Sequence, residues 1–173
     1  MLRRMNMRLP ALGLTLLLTT ACASGEPPAA PDLTVHVGLS SVERGTDPVT
    51  KLVEPTRESV VRADGKLVRI GPAVLASSDY ETAGVVSDGT GVEVVQVRLT
   101  REGRTAYTEL TAKAACHPLG DPRRMLVFVH AGRVVSKAAL DPSVNCDVGL
   151  QQGRLSFPSQ EGDVPASVIA NGE

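Results

Sequence analysis

Alternating apolar and polar residues predict two strands near the start of the globular part of the chain. Residues 33–39 place leucine or valine at every second position, which is typical of a half-buried strand with His36 on its solvent-facing side. Residues 66–70 predict a second short strand that ends in a Gly-Pro turn. The intervening residues 40–64 are polar and interrupted by prolines, so we interpret them as a long irregular insertion.

A hairpin followed by a helix is predicted in the middle of the chain. Residues 83–87 and 92–99 flank the sequence Asp-Gly-Thr-Gly, which is a strong hairpin signal. Thr100 has the residue type and the position of a helix N-cap, and the helix should run to about Ala115. Its expected buried stripe, at spacings of three and four, consists of Gly103, Ala106, Tyr107, Leu110 and Ala114.

The last third of the chain predicts another hairpin and a final strand. Residues 125–129 are apolar on both faces, as in a central strand, and an Ala-Gly turn with positive φ only at Gly132 should follow them. A strand over 148–157 and a short helix within 160–173 complete the prediction. The expected fold class is α+β, a mostly antiparallel sheet with one principal helix packed on one face.

The N-terminal segment has the features of a targeting sequence. Residues 1–21 combine three arginines with an apolar stretch too short to span a bilayer as a mature helix, as in a signal peptide. The small residues before Cys22 resemble a bacterial lipobox and predict lipidation of Cys22. Because Thr19 stands where an aliphatic residue is usual, cleavage as an ordinary secretory signal is the alternative. Residues 22–31 form a Pro/Ala-rich tether, and 32–173 form the domain.

The amino-acid composition limits which residues can form the core and which class of partner the protein can bind. Aromatic residues make up only 2% of the chain and Trp is absent, so the core must be built from Val, Leu, Ala and Ile. Such a core buries less area per residue than an aromatic one, and a covalent cross-link would add useful stability. The net charge of −1, without a clustered basic face, argues against a nucleic-acid partner.

The three cysteines suggest one disulfide. If Cys22 carries lipid, Cys116 and Cys146 remain as a pair in an oxidising compartment. A bond between them would close a loop that stabilises the fold by about 3–4 kcal/mol in the chain-entropy description. Two free thiols are one alternative. A metal site that adds His117 and His130 is another, although adjacent Cys-His is poor chelate geometry.

Residues that carry chemistry are few and scattered. The sequence contains no nucleophile elbow, no zinc-binding helix motif and no phosphate-cradling loop. His117 at the predicted helix end and His130 at the hairpin turn are expected to be solvated, and Glu102 suits the positive helix N-terminus. We therefore predict that the protein is not an enzyme, with no catalytic residue, no cofactor and no metal.

Three segments carry recognisable motifs in a fixed order. They are residues 66–85 with the stretch IGPAVL, 92–112 with LTREGRTAYTELT, and 125–140 with AGRVVS; Gly153 to Phe157 adds a looser match. In this order and at this spacing they resemble the extracytoplasmic head of SecD, a membrane subunit of the protein-export machinery. The likeness covers about residues 66–170. It implies the fold of that head and its contact with extended polypeptide.

Two departures limit what the resemblance implies. Ala131 stands where the family has Asp, and no segment after residue 22 could span a membrane, so the membrane-embedded export motor is not implied. We predict a binding or accessory module held by a lipid anchor on the extracytoplasmic face of the bacterial cell membrane, or secreted in the alternative. Exported polypeptides, translocon components or envelope proteins would contact an apolar groove or sheet edge. An envelope sensor that binds a small molecule or cell-wall component in a closed apolar pocket is the alternative function.

Overall fold

Strands dominate the structure, and one long helix accompanies them. The computed structural model describes residues 31–63, 65–87, 89–158 and 164–171. Within these ranges the elements are β1 (Leu33–Val42), β2 (Ser59–Ala63), β3 (Lys66–Leu75), β4 (Tyr80–Ser87), β5 (Glu93–Leu99), α1 (Arg101–Ala115), β6 (Met125–His130), β7 (Arg133–Ala139), β8 (Arg154–Pro158) and α2 (Ala166–Asn171). Short 3₁₀ turns, Ser77–Asp79 and Pro122–Arg124, precede β4 and β6.

The described strands divide between two antiparallel sheets. The larger has the order β2-β3-β1-β6-β7, and the smaller has the order β4-β5-β8. The expected strand-rich α+β fold with one principal helix is confirmed in outline, but the prediction of one sheet is wrong. The 3₁₀ turn after β3 redirects the chain, so the following hairpin pairs with β8 and not with the first sheet.

The main core joins both sheets and both helices. It is aliphatic except for a few aromatic rings, and its fully buried members include Leu33, Val35, Leu75, Val95, Val97, Leu99, Val135 and Ile169. Helix α1 contributes Tyr107, Leu110 and Ala114, which are three members of the predicted stripe. The helix also begins as predicted, because the Thr100 hydroxyl oxygen accepts a 3.0 Å hydrogen bond from the Gly103 amide.

A second, smaller core covers the opposite face of the larger sheet. Val61, Val68, Val127 and Val129 point away from the main core and pack with Val53. Val53 belongs to the segment between β1 and β2, and its amide donates to the Gly132 carbonyl at 2.7 Å. Both faces of β6 are therefore buried, which explains its unbroken apolar run.

Two boundaries in this region differ from the prediction. The segment 40–64 is not wholly irregular, since it contains the end of β1 and the whole of β2. The Gly-Pro pair lies inside β3 and does not end it. Pro72 is tolerated there because the pairing of β2 with β3 ends at Ile70, so no ladder bond to β2 is lost.

The prediction that His36 faces solvent is wrong. Its side chain is fully buried beneath the second core face of the sheet, opposite Val127. Ring atom Nδ1 lies 2.9 Å from the Gly71 carbonyl, and Nε2 lies 2.9 Å from the Thr34 hydroxyl. Because a carbonyl only accepts, Nδ1 carries the proton and Nε2 accepts from Thr34. Burial lowers the pKa of His36, and the bond to Gly71 opposes this in part.

This buried imidazole makes stability depend on pH. An unfolded histidine takes up a proton below about pH 6.5, whereas folded His36 does so only at lower pH. Between these values the unfolded state binds more protons, so the free energy of unfolding should fall as the pH falls. Urea unfolding at several pH values between about 7.5 and 5 checks this. The His36→Gln variant, which cannot titrate there, should show a shallower slope; identical slopes would contradict the assignment.

The β6–β7 turn also differs from the prediction. Both turn residues have positive φ, 47° at Ala131 and 74° at Gly132, as a type I′ turn requires. Next to the turn, His130 is buried and not solvated. It pairs across the sheet with Leu33, and the Ala131 amide donates to the Asp32 carbonyl, so the start of β1 covers this end of the hairpin.

The final strand is shorter than predicted, whereas a short helix lies where one was expected. β8 starts only at Arg154, because the chain before it makes turns at Asp141–Val144 and Asn145–Gly149 and packs on α1. Gly149 has φ 66°, and its Cα lies so close to α1 that a Cβ would be 2.8 Å from the Ala112 amide nitrogen. Helix α2 buries Ile169 in the main core.

Candidate functional site

A groove runs between the edge strands of the two sheets. β7 is the last strand of the larger sheet and β8 the last strand of the smaller one. Residues of both strands, together with the β7–β8 loop (residues 140–153), line a cavity of about 430 Å³. Edge strands present backbone N–H and C=O groups outward, and such groups can pair with an added strand.

Most of the aromatic side chains of the chain lie in the main core directly beneath the groove, each 2–5% exposed. Phe128 of β6 and Phe157 of β8 stack across the two sheets, with ring centroids 4.3 Å apart and an interplanar angle of 22°. Tyr107 of α1 lines the same groove. The chain has only two Phe, two Tyr and no Trp, so three of its four aromatic residues meet here. Burial raises the pKa of Tyr107 to about 12, so its phenol stays protonated and able to donate.

Ser136 adds a buried polar group to this apolar surface. Ser136 lines the groove beside Phe128 and is 1% exposed, and among the described residues its hydroxyl has no hydrogen-bond partner. The register of β6 and β7 shifts between Val129 and Phe128, which leaves Val135 as an extra residue and turns both Val135 and Ser136 inward. An unsatisfied buried hydroxyl costs about 1–3 kcal/mol, and a ligand carbonyl in the groove would remove that cost.

The β7–β8 loop forms one wall of the groove and is fastened to α1. The Leu150 amide donates to the Thr111 hydroxyl at 2.8 Å, and the Leu150 carbonyl accepts from the Thr108 hydroxyl at 3.1 Å. Thr111 is fully buried and in turn donates to the Tyr107 carbonyl at 2.8 Å. The loop therefore holds its position against the helix that carries Tyr107.

A buried arginine fastens the other end of this wall. Arg124 is 6% exposed, and its guanidinium group donates to the carbonyls of Ala115 and His117 at the end of α1 and to those of Leu140 and Asp141 after β7. The helix C-terminus supplies partial negative charge that suits the cation. The arginine thus links the end of the helix to the first residues of the loop.

The cysteines behave as a pair in the structure. A disulfide joins Cys116, the C-cap of α1, to Cys146 in the β7–β8 loop, with Cα atoms 4.6 Å apart. This bond ties the same wall of the groove to the same helix. The predicted lipidation site, Cys22, lies outside the described residues.

The metal alternative needed Cys116 and Cys146 as free thiols, whereas the two are joined in a disulfide. Among the described residues, no three His, Cys, Asp or Glu side chains are placed to hold a metal ion. His130 is buried next to Leu33, and His117 is half exposed at the end of α1. In the described part of the chain no helix combines the length and hydropathy needed to cross a membrane.

A second cavity, of about 250 Å³, adjoins the groove at the end of β7, where Ala139 and Leu140 line both. Its walls are mixed, with Met125 and Leu140 beside Lys66, Asp121 and Arg124. It is the nearest counterpart of the closed apolar pocket that a small-molecule sensor would need. It is smaller than the groove, and none of the aromatic side chains lines it.

Comparison with known proteins connects this fold to SecDF. A crystal structure of SecDF in a super-membrane-facing form matches 84% of this chain and 19% of its own chain, with a TM-score of 0.51 and 18% identity. A structure of SecDF described as a membrane component that enhances protein export matches 84% and 62%, with a TM-score of 0.50 and 17% identity. This chain thus spans about a fifth and three fifths of those chains. At such identity the likeness shows a SecD-like fold. No protein-family model matches the sequence, and no curated protein does.

The sequence predicted a binding groove or sheet edge but did not indicate which residues form it. Phe128 and Phe157 were placed on strands, and Tyr107 on the buried stripe of the helix, without any indication that they meet. The scarcity of aromatic residues does not predict that they meet, since the stacking of Phe128 on Phe157 joins residues far apart in the chain. Ser136 had no signal, since its burial depends on the bulge in β7.

Proposed function

We propose that the groove between β7 and β8 binds an extended, apolar segment of another polypeptide, and that the protein is an extracytoplasmic accessory module of protein export. The meeting of three aromatic side chains between two edge strands carries the proposal. Apolar side chains of a bound strand would pack on the part-exposed apolar residues of the groove wall, Val144, Leu150 and Pro158, above the buried phenylalanine rings, while its backbone pairs with an edge. The SecD-like fold supports the connection to export.

The buried hydroxyl of Ser136 gives the groove a polar contact for a backbone. Different client polypeptides differ in their side chains but share the same backbone. A site that binds many of them must therefore use backbone groups for part of its affinity. Ser136 offers one donor whose partner is missing within the described residues. A ligand carbonyl would supply that partner if the side chains that cover Ser136 move aside, because the residue is only 1% exposed.

The Ser136→Ala variant separates binding from folding. Removing an unsatisfied buried hydroxyl should leave the melting temperature unchanged or raise it slightly, because no hydrogen bond to the described part of the chain is lost. The same change should weaken binding of an extended valine- and threonine-rich peptide about 3- to 10-fold, because the backbone partner is gone. Thermal melts and fluorescence anisotropy measure the two effects. A large loss of stability with unchanged peptide affinity would contradict the assigned role.

Site-specific photo-crosslinking tests the groove itself. A photoreactive amino acid at Ala138, exposed on β7, should crosslink the same peptide in purified protein and exported polypeptides in cells. Val86 is a matched control position, since it is 39% exposed on β4, the other edge of the smaller sheet. Equal crosslinking at both positions, or none to any exported polypeptide or translocon subunit, would refute the proposal.

A lipid anchor at Cys22 would place the groove at the membrane surface where exported chains emerge. Residues 1–21 as a signal peptide and 22–31 as a tether support this part of the proposal. Intact-mass analysis of protein extracted from membranes tests it: the mature chain should begin at Cys22 and carry diacylglycerol and acyl groups. Its mass should also be lower by two hydrogens for the Cys116–Cys146 bond.

A further inference from the structure

Three arginines converge on one surface depression next to the groove. Arg98 of β5, Arg104 of α1 and Arg154 of β8 line a cavity of about 560 Å³ together with Gln152 and Gly153. All three side chains are exposed. They come from three different elements, so the tertiary structure and not a run of basic sequence brings them together.

The arrangement costs stability in the unliganded protein. Arg98 and Arg154 are direct partners in the antiparallel ladder of β5 and β8, and like charges in such positions repel. The Arg104 guanidinium lies against Gly153, where a Cβ would be 3.2–3.4 Å from it, so the glycine leaves room for the third cation.

Ion pairing within the described residues compensates one of the three cations; Glu109 lines an adjoining depression with Arg104 but forms no ion pair with it there. Glu81 accepts from Arg98 at 2.7 Å and is the carboxylate that pairs with the cluster in the described part of the chain. Arg104 and Arg154 form no ion pair within the described residues. Guanidinium groups bind carboxylates through paired N–H donors, so a ligand with acidic side chains would offset the repulsion.

The depression is continuous with the groove. Gln152 lines both, and Arg104 stands one helical turn from Tyr107, which lines the groove. A strand lying between β7 and β8 that continues past Gln152 would therefore bring its next residues over the three arginines.

We infer that the cluster of Arg98, Arg104 and Arg154 selects clients in which acidic residues flank the extended apolar segment. This inference rests on the proposed function of the groove and adds the chemistry of the preferred partner. Attraction between the arginines and the acidic residues of the client should speed association and raise affinity at low ionic strength. Salt should screen this attraction because the site is exposed.

Three peptides with one apolar core test the inference. Each carries three added residues at both ends, which are all Asp, all Ser or all Lys. At about 20 mM salt we expect the Asp peptide to bind about 5- to 10-fold tighter than the Ser peptide, and the Lys peptide to bind weakest. At about 500 mM salt the three affinities should converge. Fluorescence anisotropy gives the dissociation constants.

A double variant assigns the preference to the cluster. The R104Q/R154Q protein should bind the Ser peptide as the wild type does and lose the preference for Asp. The R44Q/R62Q protein, which loses the same charge at exposed positions outside the depression, should keep the preference. Thermal melts of both variants check that the fold is intact, and relief of the Arg98–Arg154 repulsion should leave the first at least as stable as the wild type.

The outcomes distinguish the two proposals. Equal binding of all three peptides by the wild type, or a preference that survives in R104Q/R154Q, overturns the acidic-client inference and leaves the groove assignment standing. Failure of all three peptides to bind overturns both. Binding of anionic phospholipid vesicles that R104Q/R154Q loses, together with equal peptide affinities, assigns the cluster to a membrane surface and also overturns the inference.

Discussion

Replacing Arg124 with methionine is expected to lower the free energy of unfolding by about 3–5 kcal/mol. The guanidinium group is buried and donates to four backbone carbonyls, two at the end of α1 and two after β7. Methionine fills a similar volume but donates no hydrogen bond, so these carbonyls would remain buried without their partner. Urea unfolding followed by circular dichroism measures the loss.

Arg123 provides a matched control in the neighbouring position. Its side chain is exposed, and among the described residues it binds Asp121 alone, through bonds of 2.9 and 2.7 Å, so Arg123→Gln should change stability little. Arg124→Lys should be intermediate, because an ammonium group keeps the charge but cannot span all four carbonyls. If R124M were no less stable than R123Q, the assigned role of the buried arginine would be wrong.

Replacing Gly38 with alanine is expected to cost about 3 kcal/mol or more. Gly38 lies in β1 directly under the 3₁₀ turn Pro122–Arg124, and a Cβ there would overlap the Pro122 carbonyl oxygen and lie 2.8 Å from its carbon. Both atoms belong to backbone, so neither moves without displacing the turn. That turn positions Arg124, and the groove wall should loosen with it. Thermal and urea unfolding measure the effect.

Gly84 is the control for this substitution. It also lies in a strand, β4, but a Cβ there would meet nothing within 4 Å, so Gly84→Ala should be neutral or slightly stabilising. The effects of G38A and R124M should not add in the double variant, because both act on the same turn. Full additivity would show that Gly38 and Arg124 contribute independently.

Local sequence signals correctly predicted those elements whose contacts join residues close together in the chain. The N-cap at Thr100, the extent of α1 and three core members of its stripe follow from side-chain chemistry and helical periodicity, which involve residues close in sequence. The hairpin of β4 and β5 follows from its glycine-rich turn. The motifs that resemble SecD pointed to the fold that the solved SecDF structures share.

Two of the histidines that were assigned to solvent are buried by residues far away in the chain. His36 was assigned to solvent because alternation distinguishes two faces of a strand but does not show whether a second layer covers the polar one. Here the segment around Val53 covers that face, and Thr34 and Gly71 provide the partners that allow a buried imidazole. His130 was assigned to solvent because it lies at a hairpin turn, but the start of β1 pairs with this end of the hairpin and covers it.

The sequence by itself determined the strand-rich α+β class, the principal helix and the pairing options of the cysteines, because periodicity, capping and turn chemistry act over a few residues. Only the tertiary structure decided that the strands form two sheets, that Phe128, Phe157 and Tyr107 meet between two sheet edges, and that three arginines converge beside them. These contacts join residues far apart in the chain. They depend on which edges remain unpaired after the sheets have packed, and no local pattern encodes that choice.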